Sequence, residues 1–239
     1  KYDPDTKTLT LEDAKITNNA EENNYGSGVG LINRIDGLIL HLVGNNTITS
    51  EKSIGIWNPD DNSLTFTGNG KLTVKGAMTG DESLQGGIYN RGSITVKDCT
   101  LEVEAGVYGL TLGHWIFDNC TVRAKGGGRE DDPDAGSISY IWNKQPEFKG
   151  CSITSPAGAE WKEWKDGSKT YFTLFTKDDK AVTDWVEITP AIEYELTIAG
   201  TQVTSENYAD LSVIEGVEGT AKYDPDTKTL TLEDAKITN

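Results

Sequence analysis

Residues 1–18 read KYDPDTKTLTLEDAKITN, and residues 222–239 read KYDPDTKTLTLEDAKITN again, without one change. Chance does not produce such a match, and divergent domains would have drifted apart. The chain is therefore read as one unit of a tandem array plus the start of the next, and self-similarity at a fixed period decides the architecture first. The same stretch also sets the cadence inside the unit. Asp3-Pro4-Asp5 is turn chemistry. Leu9 and Leu11 then alternate with Thr8, Thr10 and Glu12, the two-residue period of a strand with one buried face. After a corner, Ala14 and Ile16 continue the apolar side.

Working outward, the cadence returns with Leu42, Phe66, Val96, Phe117 and Phe148 as equivalents of Leu11, at steps of 21 to 31 residues. A second series keeps phase with it: Leu31-Ile32-Asn33, Ile56-Trp57-Asn58, Ile88-Tyr89-Asn90, Leu110-Thr111-Leu112 and Ile141-Trp142-Asn143. A third is Cys99, Cys120 and Cys151, each three residues after its reference position. Short steps with three strands each describe the coils of an all-β solenoid, a parallel β-helix, in which each coil buries its apolar positions on its neighbours. A β-sandwich would also suit short strands and frequent turns. Three series in one register weigh against it.

The coils run over residues 1–156. A closing segment, 157–190, follows, with Thr170–Phe175 and Thr183–Ile188 expected as a capping hairpin and Trp161 and Trp164 as cover for the open apolar end. Residues 191–239 read as the start of the next repeat: a strand pair from Tyr194, a helical turn after Ser205, then the repeated stretch.

The run YELTIAGTQVTSENYADL from Tyr194, followed by KYDPDTKTLTLEDAKI from Lys222, resembles the start of repeat modules in large secreted surface proteins of gut anaerobes. The residues that carry the resemblance include Tyr194, Gly200, Gln202, Tyr223, Pro225, Leu230 and Ile237. Those modules are similar to right-handed parallel β-helices of the pectate-lyase-like superfamily. The resemblance implies a cell-surface role, and related β-helices include both polysaccharide lyases and carbohydrate-binding modules.

Composition narrows the partners. A formal charge of −16 argues against nucleic acid, which needs basic patches. No apolar run approaches the roughly 20 residues of a spanning helix, so no membrane insertion is expected in this segment. Three cysteines do not make a disulfide framework. They are expected as a buried column of free thiols, since no histidine shares the column and no CxxC occurs. Asn33, Asn58, Asn90 and Asn143 share one corner and are expected to hydrogen-bond along the stack.

For chemistry, the outward positions of adjacent coils put no two carboxylates side by side, as paired-acid hydrolysis requires. Glu102 and Arg123 are expected to pair across coils. Against the lyase pattern of a calcium cluster beside a basic residue, the chain departs, so no enzyme is expected. No cofactor is expected either, with Asp131, Asp132 and Asp134 as weak Ca²⁺ candidates. The aromatic series is the most informative. If Ile56, Ile88 and Ile141 point inward, alternation turns Trp57, Tyr89 and Trp142 outward as a column of flat rings suited to stacking on sugars. Corner loops folding over that column would instead make it a satellite core, and Ile138, Tyr140 and Trp142 could equally form the inward set.

The reading is a non-enzymatic extracellular repeat module, cell-surface attached or secreted, for adhesion or glycan binding. Its expected partners are a polysaccharide or host glycoprotein and neighbouring repeats. The alternatives are a β-helix polysaccharide lyase or hydrolase, or a structural stalk spacer.

Overall fold

The structure is a computed structural model, and it describes residues 1–21, 26–79 and 85–238. The chain forms two compact units, Lys1–Thr189 and Pro190–Asn239. The larger is an all-β solenoid of about five turns, a parallel β-helix without an α-helix among the described residues.

Each coil contributes one strand to each of three sheets. In the first sheet Thr8–Glu12, Leu38–Val43, Ser63–Thr67, Ser93–Lys97, His114–Asp118 and Glu147–Lys149 stack in parallel. The second begins Lys15–Asn18, Asn45–Ser50, Lys71–Lys75, Thr100–Ala105, Thr121–Gly126. The third holds Leu31–Ile32, Ile56–Asn58, Gly86–Asn90, Tyr108–Thr111 and Ile138–Ser139. Alternation sends every second residue inward, so Leu40, Phe66, Val96 and Phe117 have no exposed surface and form one continuous core with Leu72, Leu101, Ile56 and Ile88. Each such side chain contributes about 1.5–3 kcal/mol relative to an exposed one.

The corner between the first two strands turns on a residue in the left-handed region at Asp13, Gly44, Asp98, Asn119 or Gly150, and the Ser63–Thr67 coil turns instead through Gly68-Asn69-Gly70, with Gly68 at φ 108°. Asn, Asp and Gly tolerate that conformation best. The residue after each of the last three corners, Asp98, Asn119 and Gly150, is a cysteine. Cys99, Cys120 and Cys151 are all free and buried, as expected.

The sequence register slips once. Phe66 pairs with Leu40 rather than Leu42, and Val74, not Leu72, pairs with Ile48. A two-residue slip leaves the inward face unchanged, which is why alternation alone does not detect it.

The closing segment differs from expectation. The hairpin is Glu160–Asp166 with Lys169–Phe175, and Ile141–Trp142 pairs antiparallel to the second arm. Val186–Pro190 does not pair with Lys169–Phe175. It inserts into the second sheet between Thr121–Gly126 and Cys151–Ser155, antiparallel to the former, with Val122 opposite Ile188. Val186 and Ile188 have no exposed surface, so core burial fixes the insertion. Trp161 packs against the main core, and Trp164 stacks on Tyr171 at 4.5 Å between ring centroids.

The smaller unit holds the antiparallel pair Glu193–Ile198 and Thr201–Thr204, a 3-10 turn at Leu211–Val213, and the hairpin Val217–Asp224 with Thr229–Ile237. Ile198, Val203, Leu211 and Val217 make its own small core.

Candidate functional site

Trp57 and Tyr89 are register partners on neighbouring coils, with Ile56 and Ile88 beside them fully buried. Alternation therefore turns both rings away from the core. Their surroundings differ from an open column. Tyr89 packs with Tyr108, Val107 and Ala135 in a satellite cluster, ring centroids of the tyrosines 5.7 Å apart. Burial, with Tyr108 nearby, pushes the Tyr89 hydroxyl well above the ordinary tyrosine range.

Trp142 is not the next member of that column. Tyr89 is followed by Thr111 and then by Ser139. The displacement comes from Tyr140, which sits at φ 59° between Ile138 and Ile141. A left-handed residue breaks strand alternation, so Ile138 and Ile141 both point inward and Trp142 leaves the sheet to face Tyr171 on the closing hairpin. Asn143 is likewise outside the asparagine ladder and exposed. The other three asparagines form the expected ladder. Asn33 donates to Asn58 Oδ1 at 2.9 Å and Asn58 to Asn90 Oδ1 at 2.9 Å, all three buried.

Trp142 and Tyr171 line an open groove of about 750 Å³. Arg91 and Lys169 supply donors along it, Asp60 and Asp61 supply acceptors, and Pro59 and Leu112 complete its wall. The Lys169 ammonium lies 4.1 Å from the centre of the Trp142 ring. Lys169 is exposed, and a cation–π contact at an exposed site is worth about 0.5–1 kcal/mol, so a ligand displaces it at little cost. Leu112 also lines a second cavity of about 290 Å³ with Tyr89, Tyr108, Tyr140 and Asp132. An unbroken seam of ring contacts runs from Tyr89 through Tyr108 and Tyr140 to Trp164 and Tyr171. Residues of four coils and of the closing hairpin thus meet on one side of the solenoid. Sequence periodicity could not find Tyr171, because it lies beyond the last coil.

Asp132 belongs to this seam. Its carboxylate accepts the Tyr108 hydroxyl at 2.9 Å and the Tyr140 hydroxyl on its other oxygen. Burial first, and then the bond to Asp132, push both phenols above the ordinary tyrosine range. Asp131 turns instead to Arg129, 2.8 Å away. Burial raises the pKa of Asp134, helped by the nearby Asp132 charge. Arg129 also lies 3.9 Å from Asp132, and the Asp134 N–H donates to Asp132 Oδ1 at 3.2 Å. Among the described residues, no group of three or more His, Cys, Asp or Glu side chains is placed to hold a metal ion.

The outward charges form structural pairs. Glu102 joins Lys71 at 3.0 Å and Arg123 at 3.3 Å, and Arg123 reaches Glu187 at 3.1 Å. The Lys71 hydrogen bond chiefly holds Glu102 below the usual carboxylate range. His114 Nε2 lies 3.4 Å from Glu147, a neighbour the sequence did not reveal. Burial and Lys144 lower the His114 pKa, while Lys144 itself is bound to Glu147.

No protein-family model matches the chain, and neither a curated protein nor a solved structure does.

Proposed function

We propose that the solenoid is a non-enzymatic extracellular module that binds a glycan in the groove of Trp142 and Tyr171, as part of a surface adhesin built of such units. The observation that carries the reading is the groove itself. Two cross-strand aromatic residues line it between charged groups of both signs, Arg91 and Lys169 against Asp60 and Asp61. Sugar rings bind by stacking an apolar face on an aromatic ring while their hydroxyls find donors and acceptors around the rim. Balanced charges favour a neutral sugar over an acidic one, since a polyanion would meet the two aspartates and a chain of net charge −16.

Retention on neutral polysaccharides is the test. Trp142→Ala should lose retention on β-glucan, xylan or galactomannan while Trp57→Ala keeps it. Equal retention by both variants and the parent chain would rule the groove out. Release of reducing ends from any of these polymers, abolished by one Asp or Glu substitution, would replace binding by hydrolysis.

A further inference from the structure

The smaller cavity beside the groove, about 290 Å³ and open to solvent, is walled by Tyr89, Tyr108, Tyr140, Asp132, Thr111 and Leu112. It lies at two strained corners. Thr111 and Ser139 are register partners on neighbouring coils, and the residue after each is left-handed, Leu112 at φ 65° and Tyr140 at φ 59°. Large side chains rarely adopt that conformation, and it persists only where the surroundings hold it. Two consecutive coils thus leave the sheet at the same corner, each with a bulky residue that lines the cavity.

The walls are aromatic and their polar groups are engaged. Tyr108 stands edge to face with Tyr89 at 5.7 Å and 89°, and steeply against Tyr140 at 6.1 Å and 71°. Rings so set make a corner rather than the flat platform on which a sugar stacks. The Tyr108 and Tyr140 hydroxyls both donate to Asp132, and the Thr111 hydroxyl donates to the Ser139 carbonyl at 3.0 Å. Asp132 accepts the Asp134 N–H as well, at 3.2 Å. A sugar would find few partners for its hydroxyls here, and unmade hydrogen bonds are costly. A primary ammonium, with three N–H donors to place, would meet oxygens that already accept.

The charge remains. Residues 129–134 carry four carboxylates, on Glu130, Asp131, Asp132 and Asp134, against the one guanidinium of Arg129. Arg129 lies 2.8 Å from Asp131 and 3.9 Å from Asp132, so the loop keeps a negative balance. Aromatic rings beside such a loop attract a cation, and a quaternary ammonium asks for no hydrogen-bond acceptor.

We infer that this cavity binds a quaternary ammonium head group of the choline type, its methyls against the rings of Tyr89, Tyr108 and Tyr140 and its charge beside Asp132. Size agrees, since small-ligand pockets start at about 300 Å³ and a head group needs no more. The site is separate from the glycan groove and stands whether or not that groove binds a sugar.

Choline titrated into the full chain, with its methyl protons followed by NMR, is the test. Saturable binding with an upfield shift from the tyrosine rings is expected. Ethanolamine, and the uncharged alcohol in which a carbon replaces the choline nitrogen, should each bind about tenfold more weakly or worse. Asp132→Asn keeps the shape and an acceptor oxygen but removes the charge, and should weaken choline about tenfold. Tyr89→Leu, which removes one wall, should abolish the upfield shift. If either variant fails to fold, the three ligands compared on the parent chain carry the test. Phosphocholine on polyacrylamide beads and phosphatidylcholine vesicles separate two sources of the head group. Retention by the beads alone supports a soluble or polymer-borne ester, and co-sedimentation with the vesicles supports a lipid surface. No methyl shift at millimolar choline, or equal binding of the uncharged alcohol or of ethanolamine, overturns the proposal.

Discussion

The Asn58 amide donates to Asn90 Oδ1 at 2.9 Å while its own oxygen accepts from Asn33, so one side chain joins three coils. Leaving a buried polar group unpaired costs about 1–3 kcal/mol. Asn58→Ala strands the Asn33 amide and removes one of two donors to the Asn62 carbonyl, which keeps the Ser93 N–H. It should lower the unfolding free energy by about that amount or more, read as a shift of the urea midpoint. Asn143→Ala, at an exposed position, should change stability by no more than about 0.5 kcal/mol. Equal effects at the two positions would show that the ladder is not what holds the corner.

Burial pushes the Cys99 thiol up to about 12, and the Cys120 thiol is raised further by its hydrogen bond with Cys151 and by burial. Titration of the native chain near neutral pH should therefore find three slow thiols, and three fast ones in denaturant. The linkage has a sign. A folded-state pKa above the unfolded value of about 8.5 gives stability that is present below that pH and lost as pH rises toward 12. Melting temperature should fall through this window, and Cys99→Ala should flatten the fall. A melting temperature that is constant from neutral pH into this window would contradict the burial.

Asp132 is clamped by the hydroxyls of Tyr108 and Tyr140, which hold its loop over the satellite cluster with Tyr89. A calcium ion would have to take the carboxylate from both. Melting in EDTA and in millimolar calcium should coincide, while Tyr140→Phe should lower stability by about 0.5–3 kcal/mol. A calcium-dependent rise in melting temperature that Asp132→Asn abolishes would show calcium bound at this loop.

The inward rows, the cysteine column and three of the four expected ladder asparagines, Asn33, Asn58 and Asn90, are legible because the stack repeats one two-residue alternation from coil to coil. Alternation is blind to a two-residue slip, so the sequence aligns Leu42 with Phe66 where the structure pairs Leu40 with it. It is also broken by a left-handed non-glycine residue. Nothing in Tyr140 itself announces φ 59°, and the misplacement of Trp142 follows from that one torsion. The strand at Val186–Pro190 was visible as a strand, yet its partner was not. Alternation of Val186 and Ile188 states that one face is buried without saying against what, and the hairpin reading chose the nearest strand in sequence over Thr121–Gly126. Tyr171, the second ring of the groove, carries no coil signal at all.

The most direct measurement is titration of the full chain with neutral oligosaccharides of β-glucan, xylan and galactomannan, followed by calorimetry. Alginate and pectin fragments serve as acidic comparators. The account predicts saturable binding to at least one neutral series. Trp142→Ala should weaken it about tenfold or more, equivalent to about 1.4 kcal/mol, with a melting temperature close to that of the parent, and Tyr171→Ala should weaken it comparably while also lowering the melting temperature through the loss of its stacking on Trp164. Binding that survives both substitutions unchanged, or that falls in Trp142→Ala only in step with the melting temperature, would contradict the assignment of the groove.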